Sequence, residues 1–139
     1  MLSARTVRNT PDDHVAGGIV DLGSAVVLRI LLGLFVIAHG LVHLAVWGPA
    51  PSGDAPMETA RSWLFGDVRP LAVGLAVAAA VLLAAGGIAV LAGAGWWPWL
   101  VVVGSAVSVL LMALTFTPWW IFGLAIDAAL LVWAVRTLR

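Results

Sequence analysis

The sequence predicts an all-α fold, an integral membrane four-helix bundle of up-down-up-down topology with a short interfacial helix in the first outer loop. Hydrophobic residues make up 63% of the 139 residues and charged residues only 10%, whereas a soluble domain is about 45–50% apolar and about 25% charged. The apolar residues also fall into four spans, each long enough to cross a hydrocarbon core about 30 Å thick. The predicted spans are 25–47, 70–92, 97–115 and 119–138.

Prolines and tryptophans mark the ends of these spans. Pro70, Pro98 and Pro118 stand where a helix begins, a position at which the missing N–H costs nothing. Amphipathic indole rings favour the headgroup layers of a membrane, and tryptophans cluster near the span ends at Trp47, Trp96, Trp97, Trp99, Trp119, Trp120 and Trp133. Residues 1–24 show no sustained apolar period, which predicts a flexible or surface-lying N-terminal tail.

The distribution of arginine predicts the orientation. Five arginines lie on the side of the chain termini: Arg5, Arg8, Arg29, Arg136 and Arg139. Two, Arg61 and Arg69, lie in the loop between the first two spans. The positive-inside rule therefore places both termini, including the tail 1–24, in the cytoplasm. The absence of lysine beside abundant Ala, Gly, Val and Arg indicates a GC-rich coding sequence, so we expect the plasma membrane of a bacterium.

The long first loop contains the signals of a short helix. Asp54 is a candidate N-cap, Pro56 suits the first turn, and Met57, Ala60 and Leu64 repeat at i, i+3 and i+7. We expect this helix to lie on the outer membrane face. The other connections are only a few residues long, which predicts that successive helices are antiparallel neighbours.

Charge balance and the absence of cysteine exclude several function classes. Seven arginines balance seven acidic residues, so the chain offers no basic field for nucleic acid. Without cysteine there is no disulfide framework, thiolate zinc site or Cys-ligated iron–sulfur cluster. Any redox chemistry would need a bound cofactor or a partner.

The few polar side chains within the spans fall in one layer of the predicted bundle. His39 and Asp127 lie about 12 Å below the outer surface, His43 about 6 Å, Ser108 about 10 Å, and Ser105 one turn lower. An ionised carboxylate at mid-membrane costs about 2.5–3.5 kcal/mol. We therefore expect Asp127 to face the bundle interior and to form a hydrogen bond with His39.

Two interpretations of that pair stay open. It is either an interhelical bond worth about 0.6–2 kcal/mol that fixes the helix register, or a polar ligand pocket or proton-handling site open to the outer face. The i, i+4 spacing of His39 and His43 lets two imidazoles approach one metal ion, but Asp127 is the only further anionic ligand at that depth. Two histidines on one helix cannot ligate opposite haem faces. The sequence thus predicts neither a metal site nor an intrinsic cofactor.

Two further features concern the helix surfaces. Arg29 is predicted to contact a lipid phosphate by snorkelling, the alternative being an anion or quinone-headgroup site on the cytoplasmic side. Small residues are predicted to allow close helix packing. The glycines among them are Gly33, Gly40, Gly74, Gly104 and Gly123.

Residues 28–41 resemble the first helix of the DoxX family of small four-helix bacterial membrane proteins. The resemblance lies in Arg29, Gly33 and the His39-Gly40 pair, together with the four-span layout. Members of that family are associated with membrane oxidoreductase assemblies, including a thiosulfate:quinone oxidoreductase and complexes linked to oxidative-stress defence. The resemblance implies a quinone- or redox-partnered subunit.

The first functional hypothesis is thus an auxiliary membrane subunit with no catalytic residue of its own. Its polar cluster of His39, His43, Ser108 and Asp127 would bind a small polar ligand or a quinone headgroup. The expected partners are the lipid bilayer, other oxidoreductase subunits and a second copy of the chain. The alternatives are a purely structural or partner-binding bundle and a small proton-coupled transporter that acts as an oligomer.

Overall fold

Four α-helices and one small β-hairpin form the fold of the described residues. The computed structural model describes residues 11–49 and 59–139, with side chains from residue 22 onward. The helices are α1 (Pro11–Trp47), α2 (Arg69–Ala92), α3 (Trp97–Leu114) and α4 (Ile121–Thr137), with a 3-10 turn at Pro118–Trp120 directly before α4. The antiparallel hairpin pairs β1 (Arg61–Ser62) with β2 (Gly66–Asp67).

All four helices are long and apolar enough to cross a membrane. The qualifying segments are Leu22–Trp47, Arg69–Ala92, Trp97–Leu114 and Pro118–Thr137. They agree with the four predicted spans, and Pro70, Pro98 and Pro118 lie in the first turns of their helices. Large apolar side chains such as Phe122 remain exposed on the outside, as lipid-facing surfaces require. The chain therefore has the character of a multi-pass membrane protein in a lipid environment.

Helix α1 is longer than the sequence pattern predicted. It begins at Pro11 and runs for 37 residues, about 55 Å at the helical rise. The segment 1–24, predicted to be a flexible or surface-lying tail, is therefore helical from Pro11 onward, and residues 1–10 lie outside the described part of the chain. That this segment lies on the membrane surface stays a prediction. A proline followed by Asp12 and Asp13 is a typical helix start. That signal was obscured because the following residues lack an apolar period.

The described part of the first loop forms a hairpin where the sequence predicted a helix. Gly66 turns the chain with φ of +74°, a conformation that favours glycine. The Val68 N–H donates to the Ala60 carbonyl at 2.9 Å, and Ser62 Oγ accepts from the Leu64 N–H at 3.2 Å. A serine that binds nearby backbone competes with helix formation in this way. The helical prediction is wrong from Ala60 to Leu64.

The remaining helix signals of that loop cannot be placed. Asp54, Pro56 and Met57 lie outside the described residues.

Glycines bring α1 and α2 into backbone contact. A Cβ on Gly87 would lie 2.6 Å from the Gly33 carbonyl oxygen, and one on Gly40 would lie 3.2 Å from the Ala80 carbonyl oxygen. The residue pairs run in opposite directions along the two helices, because Gly33 meets the later part of α2 and Gly40 the earlier part. The predicted packing role of Gly33 and Gly40 is confirmed.

The other helix contacts follow the order of the chain. A Cβ on Gly104 of α3 would lie 2.9 Å from Leu83 Cγ of α2, and one on Gly123 of α4 would lie 2.7 Å from Met112 Sδ of α3. The packing role predicted for Gly74 is wrong, because a Cβ there would meet nothing within 4 Å. Gly74 is exposed, and residue size alone does not reveal which helix face a glycine occupies.

Two apolar clusters fill the interior. One consists of Trp47, Ala72, Ala76, Leu111, Met112 and Trp120, at the end of the bundle where the long loop lies, here termed the loop end. The other consists of Val36, Leu83, Val101, Leu130 and Ala134. Along α1, α3 and α4 the two clusters leave a gap, and the buried polar residues occupy it. Close backbone contacts join α1 to α2, α2 to α3 and α3 to α4, whereas α1 and α4 make few.

The α1–α2 contact predicts different effects for two glycines of the same helix. In Gly87→Ala the added methyl group would meet the Gly33 backbone, and we expect a loss of about 1–3 kcal/mol in the free energy of unfolding, as overpacking causes. Gly74→Ala adds a methyl in open space and should gain about 0.5–1 kcal/mol from the higher helix propensity of alanine. Unfolding in mixed micelles followed by circular dichroism measures both. Equal effects of the two substitutions would contradict the glycine-mediated contact.

Candidate functional site

The predicted hydrogen bond between α1 and α4 is present. His39 Nε2 lies 3.0 Å from Asp127 Oδ1. The Asp127 side chain is fully buried and that of His39 is 8% exposed. Because the backbones of α1 and α4 make few close contacts, this polar contact spans a seam that apolar packing does not close.

Ser108 of α3 connects the two remaining polar partners. Its hydroxyl lies 2.5 Å from Asp127 Oδ2 and 2.6 Å from His43 Nε2. The other ring nitrogen of His43, Nδ1, lies 3.1 Å from the carbonyl oxygen of His39 one turn earlier. His39, Asp127, Ser108 and His43 therefore form one continuous hydrogen-bonded chain, termed here the polar network.

Helix geometry explains why these four side chains meet. His39 and His43 are four residues apart and so share a face of α1. Ser108 lies six residues from the end of α3 at Leu114 and Asp127 six residues from the start of α4 at Ile121, so the two lie at equal depths from the same turn. Both oxygens of the Asp127 carboxylate are thereby used, as a buried charge-bearing group requires.

Aromatic side chains continue from the network to the loop end. The rings of Phe35 and His39 stack with their centroids 6.1 Å apart, and those of His43 and Trp47 with their centroids 5.7 Å apart. Trp47 then packs against Trp120 at 4.7 Å. This i, i+4 series from Phe35 to Trp47 forms one wall between α1 and α4.

A cavity of about 460 Å³ lies along this wall. It reaches from Phe35 to the loop end and includes His39 and His43 in its lining, with Trp119, Trp120, Gly123 and Ile126 on the opposite side. Most of the lining is apolar or aromatic. Its volume is within the range of about 300–1,000 Å³ that is typical of small-molecule sites.

The two buried tryptophans correct part of the sequence analysis. Trp47 and Trp120 were predicted to anchor the headgroup layers, but they are only 3% and 7% exposed and line the cavity. The i, i+4 spacing of Phe35, His39, His43 and Trp47 is the signal that could have shown this for Trp47. Trp99 and Trp119 are more than half exposed, as the prediction requires.

Two predicted site residues lie outside the network. Ser105 is fully buried, and its hydroxyl has no hydrogen-bond partner among the described residues. Arg29 lies at the opposite end of the bundle, with Nη1 3.2 Å from the place a Cβ on Gly93 would take. Gly93 ends α2 in a left-handed conformation, where the terminal carbonyl groups carry partial negative charge that favours a cation.

The two histidines and the aspartate also bring together donor atoms of the kinds that metal ions bind. One donor atom from each of His39, His43 and Asp127 lies within 4.8 Å of the other two. Ligands of a tetrahedral zinc ion with bonds of about 2.0–2.1 Å stand about 3.4 Å apart. The observed hydrogen bonds account for the side-chain positions, and a metal ion would have to replace them.

Comparison with protein-family models, curated proteins and solved structures finds no match to this chain.

The polar network predicts different stability effects of alanine substitution at two buried serines on one helix. Ser108→Ala would leave His43 Nε2 and Asp127 Oδ2 without their partner, and each unmade buried hydrogen bond costs about 1–3 kcal/mol. We expect the free energy of unfolding to fall by about 2–4 kcal/mol. Ser105→Ala removes an unpaired hydroxyl and should change stability by less than about 1 kcal/mol.

Unfolding of both variants in mixed micelles measures the difference. A loss in Ser105→Ala as large as that in Ser108→Ala would show that general packing, rather than the network, sets the cost.

Proposed function

We propose that the chain is a DoxX-like auxiliary subunit of a membrane oxidoreductase assembly that holds the headgroup of a quinone-class ligand in the cavity between α1 and α4. In this proposal the helices cross a bacterial plasma membrane in up-down-up-down order with both termini in the cytoplasm. The observation that carries the proposal is the apolar cavity with His39 in its wall and the Asp127 carboxylate behind that histidine.

The cavity has the composition expected for a lipid-soluble ligand. Its apolar and aromatic lining suits a hydrophobic body, and a small number of polar groups is what fixes orientation in such sites. Phe35, Val42 and Trp119 belong to the lining and are also 46%, 52% and 63% exposed on the protein surface. This double role favours an opening toward lipid along the α1–α4 seam, so a ligand dissolved in the bilayer would enter without crossing water.

The chemistry of His39 favours a headgroup with a carbonyl or a hydroxyl. Because Nε2 faces the Asp127 carboxylate, a neutral His39 ring carries its hydrogen on Nε2 and a lone pair on Nδ1. Nδ1 has no hydrogen-bond partner among the described residues. It can accept from a quinol hydroxyl, and after protonation it can donate to a quinone carbonyl. The neighbouring aromatic rings suit a planar ring system.

The charges at the two ends of the bundle support the proposed orientation. Arg29, Arg136 and Arg139 lie near the end that carries the chain termini, whereas only Arg61 and Arg69 among the described residues lie at the loop end. With the termini in the cytoplasm, the cavity lies in the outer half of the membrane.

A purely structural role is the second candidate. Its support is that all four contacts of the polar network join groups of the chain itself, without any ligand. In that case the network only fixes the register of α1, α3 and α4.

Binding of a short-chain benzoquinone to the purified chain in lipid nanodiscs tests the proposal. Ala38 lines the cavity, so Ala38→Phe should fill it and weaken binding at least about tenfold, equivalent to about 1.4 kcal/mol. His39→Gln should weaken binding several-fold by removing the ring nitrogen. Ala128 is exposed on the face of α4 opposite to Ile126, and Ala128→Phe is the matched control that should bind as the wild type does.

Equilibrium titration in the nanodiscs gives the dissociation constants. Absence of binding to the wild type, or equal binding by Ala38→Phe, would favour the structural role.

A further inference from the structure

The polar network is short of one hydrogen. It contains four contacts at hydrogen-bond distance: His43 Nδ1 to the His39 carbonyl, His43 Nε2 to Ser108 Oγ, Ser108 Oγ to Asp127 Oδ2, and Asp127 Oδ1 to His39 Nε2. Each of the four needs one hydrogen between its two atoms. Two neutral imidazoles supply one each, the serine hydroxyl supplies one, and an ionised aspartate supplies none. Only three hydrogens are therefore available for the four hydrogen bonds.

The missing hydrogen can be assigned to one part of the network. A carbonyl oxygen only accepts, so Nδ1 of His43 must donate to His39, and a neutral His43 then has only a lone pair on Nε2. An ionised Asp127 also only accepts. Ser108 would thus lie between two acceptors, at 2.6 and 2.5 Å, with a single hydrogen to offer. One added proton completes both contacts.

Apart from the two histidines, no positively charged group lies near Asp127 among the described side chains. Among the described side chains, α2 carries a single ionisable group, Arg69, which lies at the loop end and donates to the Pro49 carbonyl at 3.1 Å. Helix α3 carries none. Arg29 lies ten residues from His39 and Arg136 nine residues from Asp127, about 14–15 Å along their helices. Besides the two histidines, a proton is the only available neutralising charge within reach of the carboxylate in this part of the chain.

We propose that the polar network is a proton-binding site that holds one proton at neutral pH, shared between Asp127 and His43 through the hydroxyl of Ser108. In one arrangement Asp127 Oδ2 carries the proton and donates to Ser108, which donates to a neutral His43. In the other, His43 Nε2 carries it and donates to Ser108, which donates to an ionised Asp127. All four hydrogen bonds are made in both arrangements, and the network has no net charge in either.

The two arrangements differ by the transfer of two hydrogens. The Asp127 O–H bond breaks as a new O–H bond forms on Ser108, and the original Ser108 O–H bond breaks as an N–H bond forms on His43. The serine is neutral before and after, so it acts as the relay. His39 and His43 line the cavity, which gives the shared proton an exchange route to water or to a bound molecule. The inference uses only contacts within the chain and does not depend on the proposed ligand.

Asp127→Asn provides a direct test because asparagine reproduces one arrangement without the proton. Its carbonyl accepts from His39, its amide donates to Ser108, and Ser108 donates to a neutral His43. We therefore expect Asp127→Asn to fold and to keep the network without the additional proton. Ser105→Ala, on the same helix as Ser108 but outside the network, is the control that should match the wild type.

The measurement is the protonation state of the two end groups in lipid nanodiscs at neutral pH, without added ligand. Infrared spectra report a carboxylic acid C=O band at Asp127, and ¹⁵N resonances of labelled histidine report an imidazolium at His43. The expected result is one or both signatures in the wild type and in Ser105→Ala, and loss of both in Asp127→Asn. Slow exchange between the two arrangements would show both signatures at partial intensity.

The contrary result is equally definite. A folded wild type with an ionised Asp127 and a neutral His43 would overturn the inference. This measurement is made on the wild type, so it does not require any variant to fold. Should Asp127→Asn fail to fold, Asp127→Glu serves for assignment, because lengthening the side chain shifts the carboxylic acid band and identifies its source. Because no quinone is present, the outcome is separate from that of the binding experiment.

Discussion

A carboxylate buried among apolar helices is the constraint on which the rest of this structure depends. An isolated charge in such surroundings costs several kcal/mol, so Asp127 can lie there only with partners for both oxygens. His39 and Ser108 are those partners, and they belong to two different helices. The requirement of one side chain thereby fixes the relative positions of α1, α3 and α4 at a single depth.

Small residues make that arrangement sterically possible. The polar contacts need side chains as short as serine and aspartate to meet, which requires closely spaced helices. Gly33, Gly40 and Gly87 bring α1 against α2, and Gly104 brings α3 against α2. Helix α2 contributes no hydrogen bond to the network and serves as the support that holds α1 and α3 at the right separation. In a membrane, where apolar surface gains little from helix association, such close packing is a main source of affinity between helices.

Much of this could be predicted from the sequence, and the failures have identifiable causes. The four spans follow from the length of the apolar segments. The His39–Asp127 pair follows from depth counting, which needs only the helical rise. Depth counting also placed Ser108 rather than Ser105 in the polar cluster, but it did not predict the bonds of Ser108 to His43 and Asp127, because these depend on the rotation of α3. The hairpin at Arg61–Asp67 was missed because an i, i+3, i+7 repeat is a weak signal over so few residues, and Gly66 at positive φ overrides it. Burial of Trp120 depends on its contact with Trp47 of another helix, which no local pattern contains.

The cavity and the polar network lie at the same seam for a common physical reason. Helices α1 and α4 are the first and last of the bundle, and the structure packs each of them mainly against its neighbour in the chain. Bulky aromatic rings and one hydrogen bond make the contacts between these two helices. Because such rings do not interdigitate closely, they leave a cavity between the helices. Polar groups can exchange hydrogen-bond partners at low net cost because a new hydrogen bond replaces the old one. Glycine-mediated backbone contacts have no such replacement, so separating them loses packing outright. The proposed ligand and the proposed shared proton therefore both belong to the α1–α4 seam, where changes leave the glycine-mediated contacts of α1, α2 and α3 in place.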